Sequence, residues 1–115
     1  MTTVQYLPDW TSSQSGPIHA GERLEIDYAA ERLRTCRAKY RGQDAWNIGA
    51  YVRFHPGGEE VSGAVAKAPL VVDVPADATR IELWFHNTDN TGCSVWDSRY
   101  CQNHWLEVEP ALVPA

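Results

Sequence analysis

No stretch of this chain approaches the roughly 20 consecutive apolar residues that span a bilayer. Its first residues, MTTVQYLPDW, lack the basic start and apolar stretch of a secretory leader. Positive charge is also scarce: 10 Lys and Arg stand against 15 Asp and Glu, for a net charge of −5. Affinity for phosphate backbones rests on clustered Lys and Arg, so nucleic acid is not an expected partner. The one basic cluster, Arg32, Arg34, Arg37, Lys39 and Arg41, is local. It reads as a solvated strand face or, more sharply, as a site for an acidic group. The expectation is a soluble, cytoplasmic protein without a membrane partner. G-x-S-x-G, a phosphate loop, H-E-x-x-H and C-x-x-C are all missing, which removes the recognisable hydrolase, nucleotide and redox motifs. Three cysteines is an odd count and leaves at least one thiol without an internal partner. Helical periodicity is almost absent. The six residues AAERLR at 29–34 have no N-cap and are too short to stand alone, and the alternation through Cys36 predicts extended chain there.

Period-two alternation is what the chain has instead, and it marks strands with one buried face. Leu24, Ile26 and Tyr28 alternate with charged residues. Trp46, Ile48, Ala50, Val52 and Phe54 form the longest alternation, which predicts a central strand ended by HPGGE at 55–59. Val4–Leu7 predicts a short edge strand, Val61–Val65 a return strand, and Leu70–Val74 a further strand. Ile81, Leu83 and Phe85 alternate with Arg80, Glu82, Trp84 and His86, and HWLEV at 104–108 closes the series. The 115 residues suit one domain. Six to eight short strands with frequent turns predict an all-β, antiparallel β-sandwich, immunoglobulin-like or C2-like, with a closed barrel as the alternative. The expected organisation is an N-terminal arm at 1–20, a β-sandwich domain at 21–109 and a flexible tail at 110–115. Its core is expected to contain Leu24, Ile26, Tyr28, Ile48, Ala50, Val52, Leu70, Val72, Ile81, Leu83, Phe85, Leu106 and Val108.

The segment Arg80–Val108 concentrates the unusual residues: three of five tryptophans, two of three cysteines and two of four histidines. Parity turns Tyr51, Trp84 and Trp105 outward, and an exposed aromatic patch marks a contact surface. Indole and phenol rings stack on sugar faces while their polar edges tolerate water. The reading is a non-catalytic binding module for a small molecule or glycan. Its site is formed by Tyr51, Trp84, His86 and Trp105, flanked by Asn87, Asp89 and Asp97. The rivals are a protein–protein interaction module, including a homodimer paired through the aromatic face, and plain burial with Trp10 as a lid. A small biosynthetic enzyme using His86, Asp97 and an arginine is a further alternative, although no spacing rule supports it.

The loop after the aromatic strand carries oxygen ligands at alternate positions. Asn87, Asp89 and Thr91 before Gly92 mimic the start of a calcium loop, and Asp97 is a further donor. Ser98 at the twelfth position excludes an EF-hand, and an Asx-rich turn satisfying its own backbone is the plainer reading. Cys93, Cys101 and His104, with Cys36 or His86 as fourth ligand, would make a Cys₃His zinc set, but the spacing matches no zinc signature.

Two runs carry a family resemblance: RLEIDYAAERLRTCRAKYRGQDAWNIGAYVRF, and VPADATRIELWFHNTDNTGCSVWDSRYCQNHWLEV. They resemble a family of small bacterial β-sandwich proteins classed as a domain of unknown function, over about three quarters of the chain. The motifs that carry it are Cys36-Arg37, Ala45-Trp46, Trp84-Phe85-His86-Asn87, Gly92-Cys93, Trp96-Asp97-Ser98 and Asn103. The resemblance implies the fold, and it favours a Cys36–Cys93 disulfide in an oxidising setting. The C-terminal part is also similar to starch-binding carbohydrate modules, with Asp97-Ser98 and Asn103-His104 at the comparable positions. Cys101 stands where that pattern has Gly, and His104 where it has Tyr.

Overall fold

The structure, a computed structural model, describes residues 1–89, 91–99 and 101–112. It is an all-β sandwich. In chain order the strands are β1 (Thr2–Tyr6), β2 (Ser12–Gln14), β3 (Arg23–Tyr28), β4 (Lys39–Tyr40), β5 (Gln43–Asp44), β6 (Trp46–His55), β7 (Glu60–Ala64), β8 (Leu70–Asp73), β9 (Arg80–Asp89), β10 (Ser94–Asp97) and β11 (His104–Glu107). One sheet runs β2-β1-β3-β8. The other runs β10-β9-β6-β7, with β11 also on β9, and β4-β5 is a separate two-stranded ribbon. All pairings among these strands are antiparallel except β1 with β3.

The two ten-residue strands β6 and β9 pair along their whole length, from Trp46 opposite Asp89 to His55 opposite Arg80. Their inward residues Ile48, Ala50, Val52, Phe54, Ile81, Leu83 and Phe85 meet Leu24, Ile26, Tyr28 and Val72 of the facing sheet. Burying each large side chain contributes about 1.5–3 kcal/mol, and a one-residue slip would turn this whole set to solvent. That is why alternation alone locates these strands. Leu70, Leu106 and Val108 are half-buried and pack against the core from its margin.

Three local expectations are corrected. Residues 1–20 are no arm: β1 lies inside a sheet, between β2 and β3, and Val4, Tyr6, Ile18 and Ala20 are buried. The short strand expected at Val4–Leu7 is present as β1, but it is an interior strand of its sheet rather than an edge. Ala30–Arg32 forms a single 3-10 turn rather than extended chain. Arg32 and Leu33 are both buried, and consecutive residues of a strand cannot both face inward. At the other end, Ala20 donates its backbone amide to Glu109, and Glu109 donates to Ile18. His19 Nδ1 lies 3.1 Å from the carbonyl of Pro110, so the chain is tied down as far as the first residue of the expected tail. Residues 113–115 lie outside the described residues.

Strands β10 and β11 occupy the same side of β9, one after the other. Asp97 pairs with Phe85 and His104 with Leu83, leaving Trp84 opposite the break. The chain leaves the sheet at Ser98 and returns at Asn103, whose amide donates to the Ser98 carbonyl. Arg99, Cys101 and Asn103 all have positive φ, at 48°, 70° and 63°. This left-handed backbone, which non-glycine residues enter uncommonly, produces the sharp excursion.

Candidate functional site

A buried polar cluster fills the end of the sandwich beneath that excursion. Asp97 and His104 continue the inward parity of β10 and β11, so their side chains point between the sheets rather than to solvent. Asp97 Oδ2 accepts from Tyr28 Oη at 2.7 Å and from Arg32 Nε at 2.9 Å. Asp97 Oδ1 accepts from His104 Nε2 at 2.9 Å. Arg32 and Asp97 are 6% and 4% exposed, a depth at which a charge requires a partner. Burial opposes ionisation of Asp97, but the hydrogen bonds from His104, Tyr28 and Arg32, with the Arg32 charge, hold its pKa at about 2. Burial, then the hydrogen bond to the carboxylate, pushes the Tyr28 phenol up. Burial does the same to Tyr6. The Tyr6 hydroxyl is buried without a hydrogen-bond partner among the described residues.

Arg32 also fixes the loop above it. Its Nη1 donates to the carbonyls of Leu7 and Thr11 at 3.0 and 3.2 Å. Those two residues bracket a turn closed by Leu7 N–H to the Thr11 carbonyl and Trp10 N–H to the Leu7 carbonyl. Asp9 Oδ1 accepts from the amide and hydroxyl of Thr11, and those bonds lower its pKa. Trp10, at φ 68°, tops the turn with its ring 4.7 Å from the Arg32 guanidinium and is 62% exposed. A buried ion pair therefore positions an exposed indole.

Trp10, Trp96 and Trp105 all line one open cleft of about 740 Å³. Trp96 on β10 is 57% exposed and stacks on His86 at 3.9 Å. Trp105 on β11 donates its indole N–H to the Gln102 carbonyl at 2.9 Å, and the Arg80 guanidinium lies 4.3 Å from its ring. Arg32, Asp97, His104 and Tyr6 line the floor; Thr11, Ser12, Ser98, Arg99, Cys101, Gln102 and Leu106 complete the lining. The sole carboxylate among the described lining residues is Asp97, already engaged with three donors.

The residues expected to form one site fall into three places. Trp105 and Asp97 belong to the cleft, Asp97 as floor rather than rim. Tyr51, Trp84 and His86 lie on the outer face of the β6–β9 pair, half-buried. The Tyr51 and Trp84 rings are parallel to within 8° with centroids 5.8 Å apart. Burial lowers the pKa of His86, whose Nε2 has no partner among the described residues. Asn87 was expected at the rim but is fully buried, because β9 runs to Asp89 and Asn87 continues its inward parity. Its Nδ2 donates to the carbonyls of Thr35 and Cys36. Asp89 accepts from the amide and hydroxyl of Thr91 through Oδ1 and from the Ala38 amide through Oδ2.

This placement corrects the metal readings. Asn87 and Asp89 are engaged with the 35–38 segment, whereas Asp97 is engaged with Tyr28, Arg32 and His104, so the three do not make one calcium set. Among the described residues no group of His, Cys, Asp and Glu is arranged to hold a metal. Cys36 and Cys93 form a disulfide across 57 residues, leaving Cys101 free and exposed. The zinc set is dissolved by that bond and by the engagement of His104 with Asp97. The enzyme alternative loses its pair as well: His86 points out of the sheet and Asp97 into it.

Sequence reasoning missed Trp96, Arg32 and the turn that carries Trp10. The alternation Ser94, Val95, Trp96, Asp97 turns Trp96 outward, but it is only four residues long. Nothing local signals Arg32, whose partners are 21 to 65 residues away in sequence. No curated protein and no solved structure matches the chain significantly. The model of the Family of unknown function (DUF6209) matches residues 1–109, and the chain therefore belongs to that family.

Proposed function

We propose that this protein is a non-catalytic module that binds carbohydrate in the cleft between Trp10, Trp96 and Trp105. The observation that carries the reading is three exposed indoles arranged around a cleft whose charged floor is already neutralised. Tryptophan supplies stacking area with only two torsions to order, and its polar edge suits a wet, hydroxyl-rich ligand. Thr11, Ser12, Ser98 and Gln102 offer hydroxyl and amide groups of the kind that orient such ligands. The weaker likeness to starch-binding modules falls on this same edge, at Asp97-Ser98 and Asn103-His104.

Binding without cleavage is favoured by the state of Asp97. Glycoside hydrolysis generally uses two carboxyl groups, one held protonated by a raised pKa. Asp97 is the single carboxyl among the described lining residues, its pKa is depressed, and both of its oxygens are occupied. The Cys36–Cys93 bridge supports a working place in an oxidising compartment, against the cytoplasmic expectation. A glycan array probed with the parent and with Trp10→Ala tests the reading. Selective binding by the parent, at least ten-fold weaker in the variant, is expected. An array on which the parent binds nothing overturns it.

A further inference from the structure

The cleft is not closed at Trp96. That indole stands on the edge strand, on the outward side of the sheet, where its ladder neighbour is His86 and the next residue across the ladder is Gly49 of β6. Gly49 has no side chain to raise, and the Tyr51 ring leans back over it: a Cβ added at Gly49 would lie 3.3 Å from that ring. Tyr51 in turn is paired with Trp84 across the ladder. The rings within each pair are near-parallel, at 20° for His86 with Trp96 and 8° for Tyr51 with Trp84. An aromatic row thus crosses three strands, from the cleft rim onto the outer face, over roughly 10 Å at the usual strand spacing.

Accepting the carbohydrate reading of the cleft, we propose that the ligand is an oligosaccharide chain rather than a single sugar. It leaves the cleft over Trp96 and continues along the outer face on His86, Trp84 and Tyr51. Two features argue for a chain as the occupant of that face. The row is continuous with the cleft through one shared side chain, so a ligand stacked on Trp96 is already delivered to it. The flanking groups are also polar rather than apolar: Arg53 lies 5.4 Å over the Trp84 ring, and Glu82 accepts from Asn103 Nδ2 at 2.6 Å. Rings beside a charged, hydrogen-bonding margin suit a hydroxylated chain better than an apolar protein surface. The row is thereby assigned as an extension subsite, and its residues set chain-length preference.

The test is titration calorimetry of the parent with soluble α-1,4- and β-1,4-linked glucose oligomers, each as a dimer and as a hexamer. Light scattering runs alongside. The expected result is a monomer that binds one hexamer at least ten-fold more tightly than the matching dimer, with that ratio falling towards one in Trp84→Ala and in Tyr51→Ala. Equal affinity for dimer and hexamer in the parent overturns the extension subsite and leaves the cleft reading standing. Because it uses the parent alone, that outcome does not depend on how the variants fold. Binding of no oligomer overturns the extension subsite, while the cleft reading stands or falls on the glycan array. A parent that dimerises with concentration, and becomes monomeric in Trp84→Ala, assigns the outer face to a second copy of the chain and overturns the extension subsite.

Discussion

Arg32 Nε donates to Asp97 Oδ2 at 2.9 Å, with both side chains 3% exposed. The pair joins parts of the chain 65 residues apart, since Arg32 lies on the turn after β3 and Asp97 closes β10. Buried ion pairs often contribute little net stability, but removing one partner strands the other in a low-dielectric interior. Here the pair has a second consequence. Through the Leu7 and Thr11 carbonyls, Arg32 holds the turn on which Trp10 stands, so the same contact that satisfies the core shapes the cleft wall.

Arg32→Met is therefore expected to destabilise the fold by about 3–5 kcal/mol, read from urea unfolding. Arg32→Lys should recover little of it, because one ammonium cannot reproduce the fork that serves Asp97 and two carbonyls. A loss below about 1 kcal/mol in Arg32→Met would contradict the assigned role.

Acid should weaken the fold in two stages. Burial depresses the pKa of His86 from its ordinary 6.5, so the folded state favours the neutral ring. The contribution of His86 is complete above 6.5 and is lost as pH falls below it. Asp97 is held at about 2 against an ordinary 3.8. Its contribution is complete above 3.8 and is lost as pH falls from there towards 2. Thermal melting followed from neutral pH downward should show both declines, the first disappearing in His86→Phe. A midpoint flat across the acid range contradicts the assignment.

The Cys36–Cys93 bond closes a loop of 57 residues, for which chain-entropy arguments give about 4 kcal/mol. Cys36→Ala/Cys93→Ala should lose stability on that scale in denaturant. Thiol titration of the unfolded, unreduced parent should find one free thiol, Cys101. Three thiols would contradict the bridge.

Long alternations made β6 and β9 legible in the sequence, because a ten-residue pattern with one buried face has few competing explanations. The same rule assigned Ile48, Ala50, Val52 and Phe85 to the core and turned Trp84 and Trp105 outward. It failed where elements are short. β1 supplies only Val4 and Tyr6 to the core, so a strand was expected there but not its interior place, and β10 shows four residues of pattern. Asn87 was misplaced because its residue type suggests a loop while its parity places it inside. The cleft was only partly legible, through Trp105 and Asp97. It is assembled from the Trp10 turn, the Arg32 turn and the excursion after Asp97, brought together by contacts that no local pattern encodes.

That excursion contains a testable compromise. Cys101 sits at φ 70°, in the left-handed region that glycine enters without a steric cost. Left-handed backbone costs a non-glycine residue roughly 1–2 kcal/mol, part of which glycine returns through its freer unfolded chain. Cys101→Gly should be neutral to about 1 kcal/mol stabilising, and Cys101→Val destabilising, by thermal melting. A clear loss of stability in Cys101→Gly would contradict the backbone argument.

The most direct test of carbohydrate binding in the cleft is titration calorimetry of the parent, Trp96→Ala and Trp105→Ala with the glycan selected on the array. Truncating a stacked tryptophan at a binding hot spot costs about 2 kcal/mol or more, which is roughly a 30-fold rise in Kd. That loss is predicted for both variants, with each retaining the melting transition of a folded protein. Unchanged affinity in both would contradict the account.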